Sequence, residues 1–279
     1  MMFGFSTNLF TRDTLETALE KIAAAGFRRV EILADSPHAE LCSGRPEDYS
    51  HLPELLRSLG LEVCNVNANT VRCMSGTGAD DFFAFRPSLD DPDPRRRRER
   101  LRYCRRAVRL AALLGSPLVT VCSGPPAKGL SRHESISILH DTLGELIDYA
   151  DEHGVRVALE YEPGLVVGDA ATALSLIRYH RLLSLNLDVG HAAVAGEDVF
   201  EVIDTFAGRI ANVHLEDIKG REHVHLPPGE GDLDLEGIIR ALDEAGFEGT
   251  VVFELYSCAD RPAQALATAA AFARRMEEG

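Results

Sequence analysis

Residues 210–232, IANVHLEDIKGREHVHLPPGEGD, place His214, Glu216 and Asp217 at the end of a short apolar, β-branched run, with His223 and His225 in the polar Gly/Pro-rich segment behind it. This reads as a buried strand feeding a loop. Imidazole and carboxylate are the donors that borderline divalent ions such as zinc, manganese and cobalt take, so a metal site is the first chemistry the stretch suggests. From this stretch alone a second reading stays open, in which His214 is a hydrogen-bonded core histidine and the other groups decorate a solvated loop.

The elements that position such residues follow from length and pattern. The 279 residues can bury one large core, and single-domain α/β barrels commonly run to about 250 residues. The formal charge of −15, from 29 basic and 44 acidic residues, argues against a general nucleic-acid partner, which needs a basic face. Neither a basic, apolar leader nor an apolar run of about 18 residues is present, so no membrane partner and a cytoplasmic location are expected. The cysteines Cys42, Cys64, Cys73, Cys104, Cys122 and Cys258 form no CxxC pair and read as reduced core residues.

Strand-like and helix-like segments alternate along the chain. Strands are expected at 3–7, 29–33, 61–67, 117–122, 155–160, 182–187, 210–214 and 250–254. Helices are expected at 11–25, 52–59, 95–114, 131–153, 169–180, 198–206, 233–245 and 261–276. Residues 70–98, rich in Gly, Pro and Asp, interrupt the rhythm, and Phe82, Phe83 and Phe85 suggest that this insertion covers a site mouth as a lid. The arginines from Arg95 to Arg109 lie on a helix whose apolar positions turn most of them outward, a solvated face. Strands separated by helices run parallel, and eight such units close most simply into a single-domain (β/α)8 TIM barrel. An open doubly wound sheet is the alternative, but the first βα turn reads STNLFTRD and lacks a glycine-rich phosphate loop.

A barrel demands chemistry at the carboxyl ends of its strands. Strand five ends in Glu160 with Glu162 two residues on, strand six in Asp188 followed by Gly190 and His191, strand seven in His214 and strand eight in Glu254. Four consecutive strands thus offer a ligand where the apolar run gives out, and their convergence predicts the Glu/Asp/His/Glu shell of a catalytic divalent ion.

With these residues in place, ALEYEP, NLDVGH, NVHLED followed by HLPPGEGDLD, and VVFELY together resemble the xylose isomerase-like TIM-barrel superfamily, in particular its sugar phosphate isomerase/epimerase branch. The likeness is specific over residues 155–256 and architectural before them. It implies metal ligands Glu160, Asp188, His214 and Glu254, a substrate- or metal-supporting His191, a loop residue His225 that closes the site, and a substrate-binding Arg221. Two departures narrow the reading. The related endonuclease IV takes extra histidines from strands three and four, where this chain has Asn65, Asn67 and Asn69, then Cys122 and Ser123. The second substrate-holding glutamate of the epimerases falls on Val166, which leaves Glu162 as the nearby candidate.

The resemblance implies an isomerase or epimerase of a small sugar, sugar phosphate or cyclitol, working by proton abstraction next to a carbonyl through an enediolate. Glu160 and Glu254 are the candidate catalytic bases, and one divalent ion, manganese first and magnesium, cobalt or zinc as alternatives, would stabilise the developing charge. A metal-dependent dehydratase of the inosose or dehydroshikimate type, with His191 or His225 as acid, is the runner-up. A non-catalytic barrel in a biosynthetic pathway is the third reading. A homo-oligomer is compatible with all three.

Overall fold

The computed structural model describes residues 1–69 and 85–278. Phe82, Phe83 and Cys73 lie outside them. The strands β1 (Met2–Ser6), β2 (Arg29–Leu33), β3 (Glu62–Asn67), β4 (Leu118–Val121), β5 (Arg156–Leu159), β6 (Leu183–Asp188), β7 (Ile210–Leu215) and β8 (Thr250–Phe253) close in sequence order into a barrel. All eight neighbour pairs are parallel, including the closing pair β1 and β8. The expected (β/α)8 barrel is therefore the fold.

Parity along the strands separates two kinds of interior. Val30, Ile32, Val66, Leu185, Leu187, Val213 and Leu215 on β2, β3, β6 and β7 alternate with polar residues and belong to the apolar core, which Val119, Val121, Val251 and Phe253 join from β4 and β8. The intervening polar residues point into the barrel, because their bonds cross it: His214 on β7 meets Glu31 on β2, and Asn67 on β3 meets Glu254 just past β8. Asn65 donates to both Glu31 and Thr120, and Asn212 donates to Asn186, so these buried amide donors find their partners on neighbouring strands. The registers shift between Val30 and Glu31 and between Leu185 and Asn186, the places where site-bearing strands change their pairing.

Several boundaries differ from the sequence expectation for local reasons. Thr7–Phe10 is a 3₁₀ turn capped by Ser6, and the first α-helix starts at Leu15 with Thr14 as its cap. A helix at Val189–Ala195, absent from the sequence reading, follows β6 directly. Asp188 accepts from the His191 N–H at 2.7 Å as its N-cap, and Gly196 at φ +80° ends it. The arginine-rich helix Pro94–Leu114 keeps most of its guanidiniums outward, but Arg100 is buried and donates to the Ala68 carbonyl at 3.0 Å. Among the described residues no helix is long and apolar enough to cross a membrane, and Cys64, Cys104, Cys122 and Cys258 are free thiols.

At the β1/β8 seam Phe253 touches the rings of Phe3, Phe5, Phe27 and Phe272 at centroid distances between 5.7 and 6.2 Å. Phe253→Ala should cost about 3–5 kcal/mol of unfolding free energy, the usual range for deleting a buried aromatic. Urea denaturation with an unchanged m-value checks this, and a loss below about 1 kcal/mol would contradict the packing described.

Candidate active site

Glu160, Asp188, His214 and Glu254 stand at adjacent strand ends, and one donor atom from each lies within 4.8 Å of every other. All four are buried. The orientation of His214 follows from its partners. Its Nε2–H donates to the Glu31 carboxylate at 2.7 Å, and Nδ1, 3.2 Å from Asn186 Nδ2, faces Glu160 at 3.4 Å, Glu254 at 3.6 Å and Asp188 at 3.9 Å, so that in the neutral ring Nδ1 carries the lone pair. A carboxylate behind an imidazole fixes the ring and strengthens it as a ligand.

The carboxylates are held as firmly. Asn69 donates to Glu160 Oε2 at 2.6 Å, and Asn67 donates to Glu254 Oε1 at 3.2 Å. Asp188 divides its labour: Oδ1 caps the following helix, while Oδ2 is buried without a hydrogen-bond partner. Behind it sits Glu216, whose Oε1 accepts from the Gly190 N–H at 2.5 Å. Any Cβ at position 190 would fall 2.3 Å from that oxygen, so only glycine admits Glu216 here.

Burial of so many acids in one place is costly unless a cation or protons neutralise them. Burial, reinforced by Asp188 and Glu254, raises Glu216 well above the usual carboxylate range; burial, reinforced by Glu160, Glu31 and Asp188, does the same to Glu254. Burial opposes a charged His214, yet Glu254, Glu31 and Glu160 raise it well above an ordinary histidine. Converging donors, excess negative charge and an unpartnered Asp188 oxygen suit a divalent cation, with His214 Nδ1 and three carboxylates as its set.

The expected substrate residues divide. His191 and His225 are buried next to the cluster, and Glu162, also buried, is pushed up to about 7 by burial. His191 Nδ1–H donates to the Tyr161 carbonyl and His225 Nδ1–H to the Glu254 carbonyl, each at 3.0 Å. Arg221 is exposed, and its guanidinium lies over Gly196, where a Cβ would meet Nη2 at 2.6 Å. It is not gathered with the buried groups: the turn at Lys219–Glu222 sends its side chain to the end of the helix Val189–Ala195. Phe85, the described member of the aromatic trio, is buried against Cys122 and Leu165.

Sequence reading passed over Glu31, Asn186 and the structural work of Asp217, and it grouped Glu216 with the strand-end ligand chemistry without finding its bond to the Gly190 N–H. A lone acid inside the apolar VEIL segment was the available signal for Glu31. Asp217 Oδ1 accepts from the N–H groups of Ile218 and Leu233, each at 3.0 Å, and Oδ2 from Gly229 at 2.9 Å. Its backbone pairs both ways with Leu226, so one residue folds the whole segment that carries His223 and His225.

A closed parallel barrel with acids and a histidine gathered at its carboxyl-end mouth has the architecture of the TIM-barrel enzymes. The chain belongs to the xylose isomerase-like TIM barrel family, whose model matches residues 19–276. It is 25% identical over 260 residues to fructoselysine 3-epimerase of Shigella flexneri, covering 89% of each chain. It is 28% identical over 269 residues to inosose dehydratase of Clostridium beijerinckii, covering 88% of this chain and 84% of that one. The crystal structure of the IOLI protein with a bound zinc atom superposes at a TM-score of 0.79 and 21% identity, covering 99% of this chain and 98% of that one.

Asp217→Ala removes a charged acceptor of three backbone N–H groups and should cost about 2–3 kcal/mol. Limited proteolysis should then cut first within residues 218–233. Unchanged cleavage there would show that Asp217 does not hold this segment.

Proposed function

We propose that the chain is a divalent-metal-dependent epimerase or isomerase of a small sugar, sugar phosphate or cyclitol. The observation that carries this reading is the convergence of Glu160, Asp188, His214 and Glu254 on one point at the strand mouths. The epimerase relative supports the substrate class, and the zinc-bearing fold neighbour supports a metal there. Manganese remains the first choice, with magnesium, cobalt and zinc as alternatives.

When bound, the ion would polarise neighbouring substrate oxygens and so acidify the carbon-bound proton between them. Glu160 and Glu254 take and return that proton. Asn69 and Asn67 hold each by one oxygen, so both present a fixed face. Such preorganisation supplies much of the gain in general base catalysis. Burial around the mouth keeps water from the activated carbon. His191 and Glu162 orient hydroxyls, His225 closes the wall behind Glu254, and Arg221 has no part in binding.

A second reading is favoured by the dehydratase relative: the same bases remove the proton and His191 delivers one to a departing hydroxyl. Turnover in heavy water separates the two. An epimerase returns product of unchanged mass apart from deuterium at the reacting carbon, whereas a dehydratase returns product lighter by one water. Glu160→Gln and Glu254→Gln should each lower turnover by about 10²–10⁴-fold. Full exchange in both variants with normal metal content would dismiss these glutamates as bases.

Metal content tests the ligand set separately. His214→Ala should lose most of the ion held by the four-residue cluster while the barrel still unfolds cooperatively. Chelation of the wild type should lower Tm, since a ligand present at about 100 times Kd contributes about 2.7 kcal/mol. Equal metal in wild type and His214→Ala would remove His214 from the set.

A further inference from the structure

We propose that Arg100 is a positioning residue for both candidate bases: it sets one peptide unit, and through it the two asparagines that hold Glu160 and Glu254. The inference rests on the reading of Glu160, Asp188, His214 and Glu254 as a metal-bearing catalytic cluster.

Arg100 belongs to the helix Pro94–Leu114 outside the barrel, yet it is only 1% exposed, with Cζ 5.5 Å from the centroid of the Tyr103 ring. Taking a guanidinium out of water is costly, and covering one carbonyl returns little of that cost. The place of that carbonyl gives the charge its use. The ladder between β3 and β4 runs out at Ala68, whose N–H donates to the Thr120 carbonyl at 2.9 Å. In the next peptide unit the Ala68 carbonyl accepts from Arg100 Nη2 at 3.0 Å, and the Asn69 N–H donates to Asn67 Oδ1 at 3.0 Å. Both ends of this peptide are held, and it cannot rotate without breaking one bond or the other.

Its two hydrogen-bonded ends lead to the two glutamates. An asparagine whose oxygen accepts a backbone N–H has its NH₂ group turned the other way. Asn67 Nδ2 accordingly stands 3.2 Å from Glu254 Oε1 and 3.4 Å from Glu31 Oε1. Asn69, carried by the same peptide, donates Nδ2 to Glu160 Oε2 at 2.6 Å. The bases come from strands five and eight, and their supports meet at this one plane at the end of strand three. Charge alone predicts the opposite effect of losing Arg100: removing a positive charge near a cation tightens its binding, whereas loosening the groups that orient its ligands weakens it.

Two readings on chelator-treated, full-length protein test this. Amide hydrogen exchange by NMR reads the peptide itself: Arg100→Met should speed exchange of the Asn69 N–H about 10-fold or more, while the amides of β6 keep their protection. Unchanged exchange at Asn69, or an equal rise throughout the barrel, would overturn the proposal. Co²⁺ titration followed through the visible d–d bands reads the consequence. Arg100→Met and Asn69→Ala should each weaken Co²⁺ binding about 10-fold, and the double variant should fall short of the product of the two losses, because both act through one peptide. Unchanged or tighter Co²⁺ binding in Arg100→Met, or losses that multiply in full, would also overturn it. Arg100→Lys, which keeps the charge but not the planar fork, should show both changes to a smaller degree and stands in where Arg100→Met does not fold. A wild type holding no Co²⁺ that His214→Ala removes would refute the four-residue reading instead, and exchange at Asn69 would then decide the part of Arg100 alone.

Discussion

The site rests on an electrostatic constraint: Glu31, Glu160, Glu162, Asp188, Glu216 and Glu254 are buried together at one end of a barrel. Two unit charges 4 Å apart repel by about 4 kcal/mol even at an effective dielectric of 20, so such a group cannot persist fully ionised and unneutralised. The observed neighbours answer that demand locally. His214 donates to Glu31, Asn65 to Glu31, Asn67 to Glu254, Asn69 to Glu160, and the Gly190 N–H to Glu216. The amide bonds orient the acids without cancelling their charge, and a protonated His214 offsets only one of them, which leaves a cation or a set of protons as the remaining requirement.

Stability and chemistry are thereby assigned to opposite sides of the same strands. Phe253 faces an aromatic cluster, and the next residue, Glu254, joins the acids. Val213 belongs to the apolar core, and the next residue, His214, reaches across the barrel. The cost of burying polar groups on the inner side is set against apolar burial on the outer side, where close packing is most effective.

This arrangement explains what could be read beforehand. The four strand ends were legible because parallel topology brings every carboxyl end to one rim, and each carboxylate or imidazole there interrupts an apolar run. Glu31, Asn65, Asn186 and Asn212 were harder. A polar residue at alternate strand positions ordinarily faces solvent, and the pattern alone does not reveal that here it faces a sealed interior cross-linked by side chains. The helix at Val189–Ala195 was missed because Asp188 was read only as a ligand, although the same residue also caps a helix. Arg221 was placed by its spacing along the chain, and spacing says nothing about the direction its side chain takes over Gly196.

Asp217 closes its loop largely onto that loop's own backbone, through Ile218, Leu226, Gly229 and Leu233. The segment between is consequently a cassette: its fold is specified largely from within, by one carboxylate, a few amides and Gly231, which packs against that carboxylate. The exposed residues Lys219, Arg221 and Glu222 can therefore diversify during evolution without disturbing His214, Glu160, Asp188 or Glu254. New substrate preferences would be acquired by rewriting the cassette while the inherited centre beneath it stays constant.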